Sequence, residues 1–190
     1  MRISAVLLAG GESRRMGKDK ATLLFRGQPL WQIQLNLLRK LHLEEILISA
    51  RADPAWRPSD IQFVADDPPS RGPLSGLAAS LGEMRGTHLL ALAIDMPFMS
   101  EKYLHSLCDQ IEAGRGVIPM IGDRAEPLAA IYSAEAHVDV VTALSGVEFS
   151  LQTLTNKLVK AGKLRALNVA KKEHTLFWNL NDPADLNLSQ

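Results

Sequence analysis

Short apolar runs alternate with segments of helical periodicity over the first half of this chain, and this alternation constrains the fold more than any other feature. Four apolar runs predict buried strands at residues 3–8, 45–50, 61–65 and 88–94. Residues 29–41 and 73–84 carry apolar side chains at helical spacing. Strands joined in this way pair in parallel and place helices on both faces of the sheet. The sequence therefore predicts an α/β fold, a Rossmann-like three-layer sandwich with a mostly parallel central sheet.

The second half continues with helices and strands of ordinary length. Apolar spacing predicts helices at residues 101–114, 133–146 and 150–162, and strands at residues 116–121, 127–132 and 164–169. Asp182 and Pro183 are typical of the start of a short terminal helix. Because neither a repeat nor a linker interrupts the 190 residues, we expect one domain over residues 1–190.

Composition excludes several functional classes. Lys and Arg together number 21, as do Asp and Glu, so the formal net charge is zero and a broadly basic nucleic-acid-binding surface is not expected. No segment has the length and apolarity of a membrane span. The single cysteine, Cys108, cannot form an internal disulfide, which predicts a reducing, cytoplasmic location.

The loop after the first predicted strand has the composition of a phosphate-binding site. It reads LAGGESRRMGKDK over residues 8–20 and combines adjacent glycines with four cationic side chains. Glycine allows backbone N–H groups to approach an anion closely, and Arg and Lys add charge-assisted donors. The ATPase pattern fails because Glu12 replaces its first glycine, and the dinucleotide pattern fails at Glu12 and Arg15. A solvated basic turn is the structural alternative.

The same stretch resembles the opening signature of nucleotidyltransferases that activate sugars, lipids and cofactors. In the form L-A-G-G-x-S-x-R-M-G-x-D-K it is similar to that of the molybdenum cofactor guanylyltransferases, and every fixed position is present. Four further segments are similar to family motifs in the same order: RGPLSGL (71–77), AIDMPF (93–98), RAEPLAAIY (124–132) and WNLNDPADL (178–186). The resemblance implies the fold type of the nucleotide-diphospho-sugar transferases.

The resemblance also implies nucleotide-binding positions: Leu8, Ala9, Gly10, Gly11, Lys20, Asp66, Gly72, Gly76 and Asp95. The first three would present backbone to the base and ribose, and the two later glycines would allow close packing beside the base. Asp66 would contact the nucleoside, although without the resemblance it could equally be a turn residue. The family often has an asparagine at the end of the second strand, where this chain has Ser49 and Arg51, so the preference for guanine over cytosine stays open.

Catalytic roles carry over to three positions. The resemblance implies that Arg15 and Lys20 hold the triphosphate and stabilise departing pyrophosphate, and that Asp95 binds Mg²⁺. Apart from the resemblance, the apolar run before Asp95 predicts a cation near this carboxylate, because a carboxylate that ends a very apolar strand is costly without a partner. Asn179 and Asn181 would lie near the pterin or the metal, or would be ordinary helix caps.

The activity implied by the resemblance is guanylyl transfer from GTP to molybdopterin or Mo-molybdopterin, with release of pyrophosphate. Strands within residues 117–132 are expected to form or extend an edge subdomain around that second substrate. Protein partners would be a molybdoenzyme or another protein of cofactor biosynthesis, with no nucleic acid and no membrane. The alternatives are a cytidylyl- or guanylyltransferase that acts on another phosphorylated cofactor, and a non-catalytic nucleotide-binding regulator of the same fold.

Overall fold

A computed structural model describes residues 1–10, 19–66 and 70–180. The strands are β1 (Ile3–Leu8), β2 (Leu24–Phe25), β3 (Gln28–Pro29), β4 (Glu45–Ala50), β5 (Gln62–Ala65), β6 (His88–Ala93), β7 (Gly116–Ile121), β8 (Arg124–Ala125), β9 (Ala129–Ser133) and β10 (Leu164–Asn168). The α-helices are α1 (Leu30–Arg39), α2 (Pro73–Glu83), α3 (Glu101–Cys108), α4 (His137–Leu144) and α5 (Leu151–Lys160). Shorter 3-10 turns cover Lys20–Thr22, Ala134–Ala136 and Lys171–Phe177.

An eight-stranded sheet forms the centre of the fold, in the order β10-β7-β9-β6-β1-β4-β5, with β8 paired to β7. Strand β1 pairs in parallel with both β4 and β6, β4 pairs in parallel with β5, and β10 pairs in parallel with β7. Strand β9 runs antiparallel to β6 and β7. The prediction of a mostly parallel central sheet is confirmed.

Alternate side chains of β1 enter different hydrophobic cores. Ala5 and Leu7 pack into a cluster that contains residues of α1 and α3, whereas Val6 and Leu8 pack into a cluster with residues of α2, α4 and α5. Since successive side chains of a strand point to opposite faces, these clusters cover the two faces of the sheet. The three-layer α/β sandwich predicted from the sequence is therefore confirmed.

Two expectations about the second half were wrong. Strands β7 and β9 lie inside the main sheet, between β6 and β10, and do not form a separate edge subdomain. Helix α3 ends at Cys108 rather than Gly114, because Glu112 and Arg115 pair as a β-bridge and Gly114 supplies the positive φ of 71° for that turn. The terminal helix predicted at Asp182 and Pro183 lies outside the described residues.

Two further expectations concern membrane-spanning segments and the thiol of Cys108. Across residues 1–10, 19–66 and 70–180, no helix has the length and apolarity needed to cross a bilayer. Burial raises the pKa of the half-buried Cys108 thiol to about 11, so this side chain is a packed thiol that is mostly protonated at neutral pH.

Candidate functional site

The carboxyl ends of β1, β4, β5 and β6 meet at one edge of the sheet. Backbone hydrogen bonds join the residues beyond these ends: Ala9 N donates to the Ser49 carbonyl (2.9 Å), and Asp66 N donates to the Ala50 carbonyl (3.0 Å). Ile94 N also donates to the Leu8 carbonyl (3.2 Å). Ligands collect at this edge of parallel sheets. The structure thus brings Leu8, Ala9, Asp66 and the start of the AIDMPF segment to one place.

These bonds also restrict how the backbone of Leu8 and Ala9 can serve a ligand. The Leu8 carbonyl and the Ala9 N–H are both used to join neighbouring strands. A carbonyl oxygen has a second lone pair, whereas an N–H group has one proton to donate. A ligand contact from the backbone of Leu8 or Ala9 therefore has to use a carbonyl oxygen.

Asp66 is held by two serine hydroxyls. Ser49 Oγ donates to Asp66 Oδ1 (2.9 Å) and Ser70 Oγ donates to Asp66 Oδ2 (3.0 Å). Ser49 is fully buried and Asp66 is 7% exposed. Because each carboxylate oxygen has its own donor, the plane of the carboxylate is fixed while further lone pairs stay available for a ligand.

Two of the predicted glycines pack against this carboxylate. A Cβ atom on Gly10 would lie 3.0 Å from Asp66 Oδ2. A Cβ atom on Gly76, in the first turns of α2, would lie 2.8 Å from Ser49 Oγ and 3.1 Å from Asp66 Oδ1. Gly72 caps the same helix with a φ of +69° and nothing within 4 Å of its Cβ position, so its requirement is conformational. The glycine motif therefore builds the enclosure around Asp66.

Replacement of Gly76 by alanine should weaken nucleotide binding without unfolding the chain. The added methyl group must displace the Ser49 hydroxyl or the Asp66 carboxylate, which breaks the hydrogen bond between them. We expect the dissociation constant for nucleotide to rise about tenfold, as for loss of one buried hydrogen bond to a charged group. Calorimetric titration measures this change. Gly82→Ala in the same helix is the control, since Gly82 has no positive φ and the nearest atoms to its Cβ position belong to the His137 side chain at 3.4 Å, and equal binding losses in both variants would contradict the assignment.

Lys20 and Asp95 form an ion pair at the same edge. Lys20 Nζ lies 3.0 Å from Asp95 Oδ2, with side chains that are 20% and 19% exposed. Asp95 follows β6, and Lys20 opens the 3-10 turn that leads into β2. The carboxylate thus has the cationic partner that its position after an apolar strand requires. The structure joins two of the predicted catalytic residues across 75 positions of sequence.

The C-terminal motif approaches Asp95 through the backbone. Leu180 N donates to the Asp95 carbonyl (2.9 Å), which places Asn179 next in the chain to this contact. The Asn179 side chain is exposed. Three predicted site residues, Gly11, Arg15 and Asn181, lie outside the described residues.

The donor set near Asp95 suits a hard cation that brings other ligands with it. Within the described part of the chain, no group of three or more His, Cys, Asp or Glu side chains could hold a metal. A closed zinc site needs such a group. Mg²⁺ keeps several waters and takes one or two carboxylates together with substrate phosphates. The carboxylate of Asp95 fits Mg²⁺ in that mode.

Sequence reasoning missed several residues of the site. Ser49 stood out only as a departure from the asparagine of the family, and no pattern indicated Ser70, yet both fix Asp66. Glu126 was also missed: it lies in the loop before β9, and burial raises the pKa of its carboxyl group. Leu128, two residues further on, accepts a hydrogen bond from Ala93 N, which brings this loop to the same edge. A serine one position before the end of a buried strand was the available signal for Ser49.

The RAEPLAAIY segment has a structural part as well. The Tyr132 hydroxyl donates to the Pro127 carbonyl (2.8 Å), and Tyr132 is fully buried. Burial raises the pKa of this hydroxyl above its usual range, so it serves as a donor that fixes the loop before β9. The tyrosine of this motif therefore supports the edge of the site rather than entering it.

A mostly parallel sheet with charged side chains at its carboxyl edge is typical of α/β proteins that bind ligands such as nucleotides there. A family model described as the MobA-like NTP transferase domain matches residues 5–161. The chain belongs to that family, and it is a nucleotidyltransferase.

Relatives and solved structures agree with this placement. A probable molybdenum cofactor guanylyltransferase of Opitutus terrae is 35% identical over 186 residues, which cover 96% of this chain and 92% of the relative. The crystal structure of molybdopterin-guanine dinucleotide biosynthesis protein A from Archaeoglobus fulgidus is similar with a TM-score of 0.79 and 26% identity, over 98% of this chain and 96% of that one. A 2-C-methyl-D-erythritol 4-phosphate cytidylyltransferase from Thermus thermophilus shares the fold, with a TM-score of 0.71, 15% identity and coverage of 100% and 97%.

Proposed function

We propose that this protein transfers GMP from GTP to the terminal phosphate of molybdopterin or Mo-molybdopterin, forms the guanine dinucleotide cofactor and releases pyrophosphate. The observation that carries the proposal is that Lys20, Asp95 and Asp66 lie at one edge of the sheet, beside the ends of β1, β5 and β6. Relatives named for molybdenum cofactor guanylyl transfer support the choice of substrates. The family match over residues 5–161 supports treating residues 1–190 as one nucleotidyltransferase domain.

The reaction needs charge neutralisation more than acid–base chemistry. A phosphate oxygen of the acceptor attacks the α-phosphorus of GTP, the bond to the β-phosphate oxygen breaks, and pyrophosphate leaves with the electron pair. Because the attacking oxygen is already anionic, no residue has to remove a proton from it. Catalysis then depends on positioning and on stabilising the charge of the departing group. Lys20, together with Arg15, supplies positive charge for that purpose.

Asp95 is the proposed ligand of Mg²⁺. When bound, Mg²⁺ supplies charge neutralisation between anionic phosphate oxygens. The Lys20 ammonium lies 3.0 Å from one oxygen of this carboxylate. We infer that Mg²⁺ would compete with Lys20 for Asp95, and that the phosphates of a nucleotide would offer the Lys20 ammonium another anionic partner.

Asp66 is the proposed nucleoside contact. A carboxylate accepts hydrogen bonds and cannot donate them when ionised. Guanine offers adjacent N1–H and N2–H donors, whereas the matching edge of cytosine offers two acceptors beside one amine. Ser49 and Ser70 fix the orientation of this acceptor. An acceptor of this kind favours guanine, although this chain has Ser49 and Arg51 where the family often has an asparagine.

The nucleotide preference is tested by thermal denaturation with GTP, CTP, ATP and UTP, each with Mg²⁺. A ligand at a hundred times its dissociation constant should stabilise the fold by about 2.7 kcal/mol. We expect GTP to give the largest rise in melting temperature at equal concentrations. A larger rise with CTP would support the cytidylyltransferase alternative. Binding of GTP without release of pyrophosphate in the presence of the acceptor would support the regulator.

A further inference from the structure

We propose that Trp56 is a positioning residue for Lys20 and acts on it through Asp19. This inference rests on the proposed role of Lys20 at the phosphates. Trp56 lies in the loop of residues 51–60 between β4 and β5, for which the sequence suggested no part in the site. The structure connects this loop to the turn that carries Lys20.

Asp19 joins the loop and the turn through its two carboxylate oxygens. Its Oδ1 accepts from the N–H of Ala21 (3.0 Å) and caps the 3-10 turn Lys20–Thr22. Its Oδ2 accepts from Trp56 Nε1 (2.9 Å). With one donor on each oxygen, the Asp19 carboxylate cannot rotate without loss of a bond. The carboxylate that adjoins Lys20 in sequence is thereby held in place, and the Lys20 ammonium pairs with Asp95.

The loop holds Trp56 in a fixed place. Asp53 and Arg57 form two hydrogen bonds of 2.7 Å each, and Arg57 also donates to the Ile61 carbonyl. The pairing lowers the pKa of Asp53 and raises that of Arg57. The Trp56 ring stacks on Trp31 of α1, with centroids 5.6 Å apart and planes 16° apart. The stack on Trp31 and the hydrogen bonds of the surrounding loop therefore hold the Trp56 Nε1–H group in place as a donor to Asp19.

The turn transmits this constraint to Lys20. Ala21 is fully buried, and Leu30 N donates to the Leu23 carbonyl (3.0 Å), which anchors the far side of the turn to α1. The near side depends on Asp19, because the Asp19 carboxylate accepts the capping hydrogen bond from Ala21 N. Lysine has a flexible four-carbon stem. A fixed starting point for that stem therefore decides how often its ammonium group reaches the phosphates.

Trp56→Phe tests the connection. The variant keeps an aromatic ring for Trp31 and removes only the N–H donor to Asp19. We expect kcat/KM for pyrophosphate release to fall about tenfold, as for a modest misplacement of a catalytic group, with the same factor for GTP and CTP and little change in melting temperature. Asp19→Ser, which can cap the turn but cannot reach Trp56, should reproduce the loss.

A double-mutant cycle separates positioning from general packing. In a Lys20→Met background, Trp56→Phe should have no further effect on kcat/KM or on the dissociation constant of pyrophosphate measured by calorimetry. Trp31→Phe is the matched control: it keeps an aromatic ring against Trp56 and removes no bond to Asp19, and its activity should stay within about twofold of the parent.

Three results would overturn the inference: full activity and pyrophosphate binding in Trp56→Phe, equal losses from Trp56→Phe in the parent and in the Lys20→Met background, or an equal loss in Trp31→Phe. Failure of the proposed function looks different. In that case the parent protein releases no pyrophosphate from GTP with acceptor present, and the calorimetric cycle on pyrophosphate still decides whether Trp56 acts through Lys20.

Discussion

Asp95→Asn should reduce pyrophosphate release by at least about a hundredfold, since metal-assisted charge stabilisation of a phosphoryl group is worth several kcal/mol. The substitution keeps the size of the side chain and an oxygen that can accept from Lys20 Nζ, which lies 3.0 Å away in the parent. It removes the charge that attracts a divalent cation. Single-turnover assays with GTP and acceptor measure the rate, and circular dichroism checks that the fold persists.

The chain contains a matched control for this change. Asp139 on α4 pairs with Lys163 at 2.5 Å, another partly exposed Asp–Lys pair. Asp139→Asn and Asp95→Asn should therefore each change the free energy of unfolding by under about 1 kcal/mol. Turnover should stay normal in Asp139→Asn. Near-normal turnover in Asp95→Asn would refute the metal assignment and would direct attention to Asp66.

The sequence predicted the sheet well because its strands are defined locally. The bounds of β1, β4 and β7 agree with the predicted strands, since each is a short apolar run with a charged residue or a glycine within two positions of its end. The position of β9 between β6 and β7 could not be read in this way. Strand order depends on which edge offers unpaired backbone groups in space, and an apolar run such as residues 129–133 fits beside several partners.

The site was predictable in outline and not in its contacts. Strand ends and glycines predicted site segments at residues 9–20, 66–76 and 95–97, because parallel strands end together. Of the described residues in these segments, Lys20, Asp66 and Asp95 do lie at one edge. The side-chain hydrogen bonds that hold the site together join positions distant in sequence: Lys20 with Asp95, Trp56 with Asp19, and Ser49 with Asp66. No local pattern reveals such a pair, since the sequence around one side chain does not identify its distant partner.

Lys20→Met should change two affinities in opposite directions. Removal of the ammonium group takes away one charge-assisted contact with the phosphates, so the dissociation constants of GTP and pyrophosphate should rise by about ten- to a hundredfold. GTP and CTP should lose affinity by the same factor, because the contact involves phosphate and not the base. Arg15→Ala should behave in the same way towards both nucleotides.

The nucleotide-free protein should bind divalent cations more tightly in the same variant. In the parent, a metal must displace Lys20 from Asp95 and must also approach its positive charge. In Lys20→Met both obstacles are absent, and the affinity for Mn²⁺, measured by electron paramagnetic resonance, should increase. Lys163→Met, which frees Asp139 in the same manner, is the control for non-specific gain of metal affinity by an exposed carboxylate. A variant damaged in its fold would lose both affinities, whereas tighter Mn²⁺ with weaker pyrophosphate is expected only if Lys20 and the metal compete for Asp95. An unchanged or lower Mn²⁺ affinity would show that Asp95 serves Lys20 alone, and that the metal is held elsewhere.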